Sequence, residues 1–328
     1  MKYGINYMGS KAGIASELIE FFPYGKRLVD LFGGGFAISH CALLSGKYNK
    51  VLYNDIDTVI VDFVKDIIND NIDLKKPEWI SREDFYKRKK NDGMLRSCWS
   101  FGGDGRTYMY GSAIEPYKEA CHKAIVFDEW ELLKKLCPEV WEHAYNAIKD
   151  INNLRDRKLK FSPPIVKELK RLNNKDLIYS NPLYKSVHWQ GEFGIGVPHK
   201  NGKIYLQRLE TSQSLTRLER ASAIRDIDKS KLEINSMSYE DYKYKDGDVV
   251  YCDIPYEGSQ RYTIKFNHAK FFEWAKTRDY PVFFSSYYNK DYEDKYDFKV
   301  VWSKDKVSSL CRENNSRWKT ECIYSNIY

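Results

Sequence analysis

The chain has no long hydrophobic run. No apolar stretch approaches the roughly 20 residues that a membrane helix needs, and the opening Met1-Lys2-Tyr3-Gly4-Ile5-Asn6 has no apolar signal-peptide core. A cytoplasmic location with no membrane partner is the expectation. Metal and disulfide signatures are missing as well. The 7 cysteines are odd in number and scattered, none in a Cys-x-x-Cys pair, and the 6 histidines do not stand beside them at ligand spacing. A zinc ribbon and a thioredoxin-like pair are therefore excluded, no metal is expected, and reduced structural thiols are.

What is present is a folding composition: 42% hydrophobic residues, 15% aromatic and 30% charged. A length of 328 residues suits one large domain or two ordinary ones, with enough chain to bury a core. The net charge of +7 is modest but unevenly placed. Residues 151–235 hold seventeen Lys and Arg against nine Asp and Glu, so the whole positive excess lies there. A basic middle suits a partner carrying phosphates, although a solvated lysine-rich surface has the same composition.

The order of elements reads as α/β. Arg27-Leu28-Val29-Asp30-Leu31-Phe32 is a short apolar strand entering Gly33-Gly34-Gly35, and Phe36 to Leu44 has the pattern of a buried helix. Val51 to Asp55 is the next strand. Asp248 to Asp253 and Pro281 to Tyr287 read as further strands, with a helix over Phe271 to Lys276 between them. Phe298–Trp302 and Glu321–Asn326 suit a closing antiparallel pair. Between the halves, Pro163-Pro164, Asn181-Pro182, Pro198 and Asn201-Gly202 predict turns, and Ile204 to Ile227 a long amphipathic stretch. The expected domains are a catalytic one over 1–80 and 234–328 and an inserted region over 81–233.

A glycine-rich turn after a first strand lets backbone approach a nucleotide-like ligand, and free amides at the following helix start would face it. An acid ending the second strand, here Asp55, can accept from ribose hydroxyls. The dinucleotide pattern G-x-G-x-x-G is absent, because Ile38 stands where its third glycine belongs, which counts against NAD or FAD. By itself this turn is also what a tight structural bend looks like.

Tyr251-Cys252-Asp253-Ile254-Pro255-Tyr256 resembles the Asp-Pro-Pro-Tyr motif of amino-group DNA methyltransferases. In that motif a carboxylate and a backbone carbonyl accept the two hydrogens of an exocyclic amine, and an aromatic ring stacks on the extruded base. Asn6-Tyr7-Met8-Gly9-Ser10-Lys11 is similar to the family's aromatic-x-Gly-Gly-Lys segment, Asp30 to Gly35 to its Phe-x-Gly-x-Gly loop, and Asn54-Asp55-Ile56-Asp57 to its Asn-Asp-Ile-Asn segment. Ser238-Tyr239-Glu240-Asp241-Tyr242 resembles a segment lining the cofactor pocket, and Glu257 to Tyr262 the loop that orders over a flipped base. With these in order, the chain looks like a Dam-type (group α) adenine-N6 DNA methyltransferase, nearest to phage-borne members, over residues 3–62 and 234–328.

The resemblance implies a Rossmann-like methyltransferase sheet with a closing antiparallel hairpin, split by an inserted DNA-recognition region. It implies a site-specific adenine DNA methyltransferase using S-adenosyl-L-methionine on double-stranded DNA, for which a monomer suffices. Asp253, Ile254, Pro255 and Tyr256 are its catalytic set. Tyr7, Lys11, Asp30, Phe32, Gly33, Gly34, Gly35, Asp55, Ser238, Tyr239 and Asp253 are its cofactor set. Arg208, Arg217, Arg220, Arg225, Arg261 and Tyr262 are the expected DNA contacts. Arg96-Ser97-Cys98-Trp99-Ser100-Phe101-Gly102-Gly103 is expected to help shape the DNA cleft. Whether a restriction enzyme accompanies the chain is left open.

One position departs from the pattern. Ile254 replaces the motif's first proline, keeping a backbone carbonyl and losing a fixed φ. A catalytically weak or inactive DNA-binding protein on the same fold is therefore the alternative, and transfer to RNA or cytosine a further one.

Overall fold

The computed structural model describes residues 2–112, 114–138, 140–173, 213–257, 266–307 and 318–327. The chain divides into two compact units, Met1–Asn69 with Ala223–Tyr328, and Asp70–Ser222.

The first unit is built on one seven-stranded sheet of order β3-β2-β1-β4-β5-β7-β6. Its strands are β1 (Arg27–Asp30), β2 (Lys50–Asn54), β3 (Leu232–Asn235), β4 (Asp248–Cys252), β5 (Val282–Tyr287), β6 (Lys299–Val307) and β7 (Trp318–Ser325). The first five run parallel, and β7 lies antiparallel between β5 and β6. This is a Rossmann-like sheet closed by an antiparallel pair. β1 and β4 are buried along their whole length, as expected of central parallel strands covered on both faces, which is why Leu28-Val29 and Val249 to Cys252 read as apolar runs. Arg27 and Asp248, paired across β1 and β4, set the register: Nε and Nη2 donate to Oδ1 and Oδ2 at 2.9 and 2.8 Å, while Nη1 donates to Glu233 on β3 at 2.7 Å.

Helices α1 (Ala15–Phe21), α2 (Ala37–Ser45), α3 (Thr58–Ile68), α4 (His268–Lys276) and α5 (Lys290–Tyr296) belong to this unit. α2 is buried from Ala37 to Leu43 and ends on Gly46 at φ 68°, a left-handed cap that suits glycine. α4 begins three residues before the apolar pattern does, because the Asn267 side chain accepts from the Lys270 N–H at 3.0 Å. The core beside β5 is strongly aromatic: Phe271, Phe272, Phe284, Tyr292, Phe298 and Tyr324 are buried together, with Phe284 stacked on Tyr324 at 5.2 Å.

The second unit is helical over Arg82–Arg88, Gly93–Cys98, Glu115–Phe127, Glu131–Leu136, Trp141–Ile148, Leu154–Asn173 and Gln213–Ser222. Trp79, Trp99, Tyr110 and His122 form its aromatic centre, with Trp79 stacked on Tyr110 at 5.7 Å and edge-on to Trp99 at 5.0 Å. Burial lowers His122 to about 4, so it stays neutral and its Nε2–H donates to the Pro77 carbonyl at 2.8 Å. Two sequence expectations change here. Pro163 and Pro164 lie inside a helix, not a turn. Fixed φ is compatible with helix, and burial of Phe161 and Ile165 offsets the missing amides. The amphipathic stretch is α-helical over Gln213–Ser222 and tightens to a 3₁₀ turn over Ala223–Asp226; residues 204–212 lie outside the described residues. Among the described residues no helix is long and apolar enough to cross a membrane.

Candidate active site

The strand order reverses at β1 and β4: the chain steps outward from β1 through β2 to β3, and from β4 through β5. Loops leaving the carboxyl ends of two such strands diverge and open a crevice. A cavity of about 440 Å³ lies there, within the size range of small-molecule sites. Its wall includes Asp30 and Asp253, which end or follow the two central strands.

The glycine turn is tied down on several sides. The Gly33 N–H donates to the Asn54 carbonyl at 2.8 Å, the Tyr53 hydroxyl to the Gly34 carbonyl at 2.8 Å, and the Ile5 N–H to the Gly35 carbonyl at 2.8 Å. The Gly34 N–H donates to Asp55 Oδ2 at 2.8 Å, and Asp55 Oδ1 accepts from the Asp57 N–H at 2.8 Å. The amides of Gly33 and Gly34 are thus spent inside the protein. Glycine is needed here for close approach: a Cβ on Gly33 would stand 2.3 Å from the Tyr53 ring. Phe32 stacks on Tyr239 at 5.5 Å and meets Phe266 edge-on at 5.6 Å, giving the cavity an aromatic wall. Ser238 caps the short turn that carries Tyr239, accepting from the Glu240 N–H at 3.3 Å.

Asp30 is 1% exposed. Its Oδ2 accepts from the Ser39 hydroxyl at 2.7 Å, while Oδ1 is buried with no partner among the described residues. Burial pushes this carboxyl up to about 7; the Ser39 bond opposes the shift, and the charges of Asp253 and Asp55 add to it.

Asp253 is held by one oxygen. Oδ1 accepts from Lys11 Nζ at 2.5 Å and from the Ser285 hydroxyl at 2.8 Å, and Ser285 Oγ lies 2.9 Å from the Tyr251 hydroxyl. Burial raises the Asp253 carboxyl, and the Lys11 charge only partly offsets that rise. Burial works against charge on Lys11, but Asp253, Tyr251 and Glu321 outweigh it, so the ammonium is retained. Lys11 Nζ also lies 3.5 Å from Glu321 Oε1 and 4.8 Å from the centre of the Tyr256 ring. The Tyr256 hydroxyl donates to Glu321 Oε1 at 2.8 Å.

Ile254 points away from this cluster: it is 1% exposed and packs in the core with Phe271 and Phe284. No described residue donates to its carbonyl. The next carbonyl, of Pro255, accepts from His268 Nε2–H at 2.6 Å.

The residues expected to meet a cofactor all line this cavity, from Tyr7 and Lys11 through Asp30, the Phe32–Gly35 turn and Asp55 to Ser238, Tyr239 and Asp253. Pro255 lines it too, whereas Ile254 and Tyr256 do not. Four residues were given no role from the sequence. Ser285 and Glu321 sit on strands paired with one another; Ser285 shows only as a polar side chain after the apolar Val282-Phe283-Phe284, and Glu321 lies in a strand of mixed composition. Asn54, fully buried, donates to the Leu31 and Met237 carbonyls and accepts from the Met237 N–H. Lys270 pairs with Glu240 at 2.7 Å on the cavity wall.

Residues 7–133 match the model of a family described as D12 class N6 adenine-specific DNA methyltransferase. Over these residues the chain is similar to that family. The matched stretch takes in Lys11, the glycine turn and Asp55, and ends before Asp253. A comparison with curated proteins finds no match. D12-class enzymes methylate adenine N6 in DNA, so the family points to DNA adenine methylation and to a DNA substrate.

The arginines expected on DNA are not alike. Arg217 Nη1 donates to the carbonyls of Ser100 at 2.5 Å and Cys98 at 3.5 Å, and burial lowers its pKa. It is occupied in holding the second unit together. Arg220, half-buried beside it, is lowered by burial as well. Arg225 belongs to the first unit, where Nε donates to the Ile67 carbonyl at 3.3 Å. Arg208, Arg261 and Tyr262 lie outside the described residues. In the Arg96–Gly103 segment Trp99 is fully buried in its unit, and Phe101 is exposed.

Proposed function

We propose that this protein methylates the N6 amine of an adenine flipped out of duplex DNA, at a specific short sequence, using S-adenosyl-L-methionine. The observation that carries the reading is the grip on Asp253. Lys11 and Ser285 hold Oδ1, and no described residue donates to Oδ2, so the carboxylate is fixed yet keeps an acceptor for an amine. The Ile254 carbonyl would take the second amine hydrogen. The two acceptors turn the nitrogen lone pair out of the ring plane, so positioning supplies most of the rate. Tyr256 stacks on the base, and the surplus amine proton leaves along the hydrogen bond to Asp253.

The cavity fits the cofactor. Asp30 Oδ1, buried without a described partner, offers an acceptor for a cationic ligand. Asp55 follows β2 where a ribose would lie, and Phe32 and Tyr239 give an aromatic surface. Tyr7, Lys11, Ser238 and the glycine turn complete the holder. When bound, S-adenosylmethionine supplies an electrophilic methyl group. Burial of the Ile254 side chain supports activity over the inactive alternative, because packing holds in place what proline would hold by its ring. The unit 70–222 is the proposed reader of the DNA; flipping costs a few kcal/mol, which its contacts and the base pocket must offset. A monomer suffices, since each strand is methylated singly.

The test is methyl transfer from labelled S-adenosylmethionine to unmethylated genomic DNA, followed by nucleoside analysis. Label in N6-methyladenosine supports the reading, and an Asp253→Ala variant that labels as well as wild type overturns the mechanism. Cofactor binding without transfer would establish the inactive alternative. Label in an adenine-free duplex would move the target to cytosine.

A further inference from the structure

Glu321 is a carboxylate at 2% exposure on β7, followed by the buried Cys322, Ile323 and Tyr324. A buried charge is costly unless paired, and even a paired one rarely adds stability over an apolar residue of similar size. Its partners indicate what it does. Oε1 accepts the Tyr256 hydroxyl at 2.8 Å and lies 3.5 Å from Lys11 Nζ, the ammonium that also grips Asp253. On β5, the residue paired with Glu321 is Tyr287, and its ring meets the Tyr256 ring edge-on at 4.7 Å and 74°. One pair of antiparallel neighbours therefore holds Tyr256 twice, by its hydroxyl and by its ring edge.

We propose that Glu321 is a positioning residue of this site, fixing the Tyr256 ring against the base and sharing Lys11 with Asp253. The role rests on the methyl-transfer reading above. It acts through two groups. Through Tyr256 it sets the plane on which an extruded adenine stacks, where errors of about 10–20° are costly. Through Lys11 it adds a second negative charge near Asp253, which is also faced by Asp30 on β1, Tyr251 and Cys252 on β4, and Ser285 on β5. That charge raises the Asp253 carboxyl.

The test compares Glu321→Gln, Glu321→Ala, Tyr256→Phe and the Glu321→Ala/Tyr256→Phe double variant with wild type. The readouts are kcat, KM for S-adenosylmethionine and the pH profile of methyl transfer. Glu321→Gln keeps an acceptor for the hydroxyl and loses the charge. It is expected to retain kcat within about threefold at neutral pH, with the acid limb moved to lower pH. Glu321→Ala is expected to lose about 10- to 100-fold in kcat with KM for the cofactor changed less than about threefold, and to lose less in the Tyr256→Phe background. Fluorescence of 2-aminopurine at the target position reports stacking on Tyr256 and should rise in Glu321→Ala. Wild-type kcat and pH profile in both Glu321 variants would overturn the role, as would strict additivity with Tyr256→Phe and an unmoved acid limb. If Glu321→Ala does not fold, the near-isosteric Gln variant decides through its pH profile alone. A wild-type protein that binds cofactor and transfers no methyl overturns the reading itself, and the role with it.

Discussion

Lys11 Nζ and Asp253 Oδ1 lie 2.5 Å apart although 242 residues separate them in the chain. The pair joins the N-terminal turn to the end of the central strand β4, and Glu321 lies 3.5 Å from the same ammonium. One cation thus stands between two acids, Asp253 and the buried Glu321, beside the Tyr256 ring.

Removing that cation is expected to be costly. Lys11→Met leaves Asp253 and Glu321 facing each other without it, and breaking a buried pair in this way costs about 3–5 kcal/mol. Urea unfolding would show the loss as a lower midpoint. In a variant that still folds, Asp253 should be pushed further up and the acid limb of activity should move to higher pH.

Asp30 predicts a pH-dependent stability. Its folded value of about 7 lies above the roughly 4 of an unfolded carboxyl. Between those values the native state keeps a proton that the unfolded state has lost, so stability falls as pH rises through the window and levels off above it. Asp30→Asn removes this term. It is expected to be the more stable protein above pH 7, by up to about 4 kcal/mol, and the poorer binder of S-adenosylmethionine. Denaturation of both proteins from pH 4 to 8, taken as a difference, checks the sign.

Gly34 sits at φ +41°, and a Cβ there would come within 2.8 Å of the Tyr7 ring. Gly34→Ala is expected to displace Tyr7 from the cavity wall and weaken cofactor binding by about 1–3 kcal/mol, measured by calorimetric titration. An unchanged Kd would remove Tyr7 from the binding set.

Ile254 departs from the motif and packs in the core. Ile254→Ala should cost about 2–5 kcal/mol of stability. Ile254→Pro, which restores the motif, should also lower Tm, because the ring fills less of the buried space; its kcat should stay within about tenfold of wild type. A variant both more stable and much faster would mean that the isoleucine is a defect.

Arg217 spends its guanidinium on backbone carbonyls. Arg217→Ala should lower Tm yet leave the slope of log Kd for DNA against log salt unchanged. A lost phosphate contact would reduce that slope by about 0.9.

Much of the site's composition was legible from residues alone. The apolar runs of β1 and β4 announce buried parallel strands because both faces are covered, and motifs local to one turn show as contiguous letters: the glycine turn, the acid after β2, the aspartate after β4. The amphipathic stretch misled in detail, since periodicity marks a buried face but does not say which arginines are turned inward; Arg217 is held by carbonyls from a loop far away in sequence.

The sequence by itself determined the α/β order, the family likeness and the identity of Asp253, because each rests on neighbours in the chain. Only the tertiary structure decided what surrounds that aspartate. Ser285 reaches it through the pairing of β5 with β4, Glu321 through that of β7 with β5, and Lys11 through a turn at the other end of the chain. The charge balance at Asp253 is a sum over groups brought within a few ångströms by folding, and local sequence carries no record of those distances.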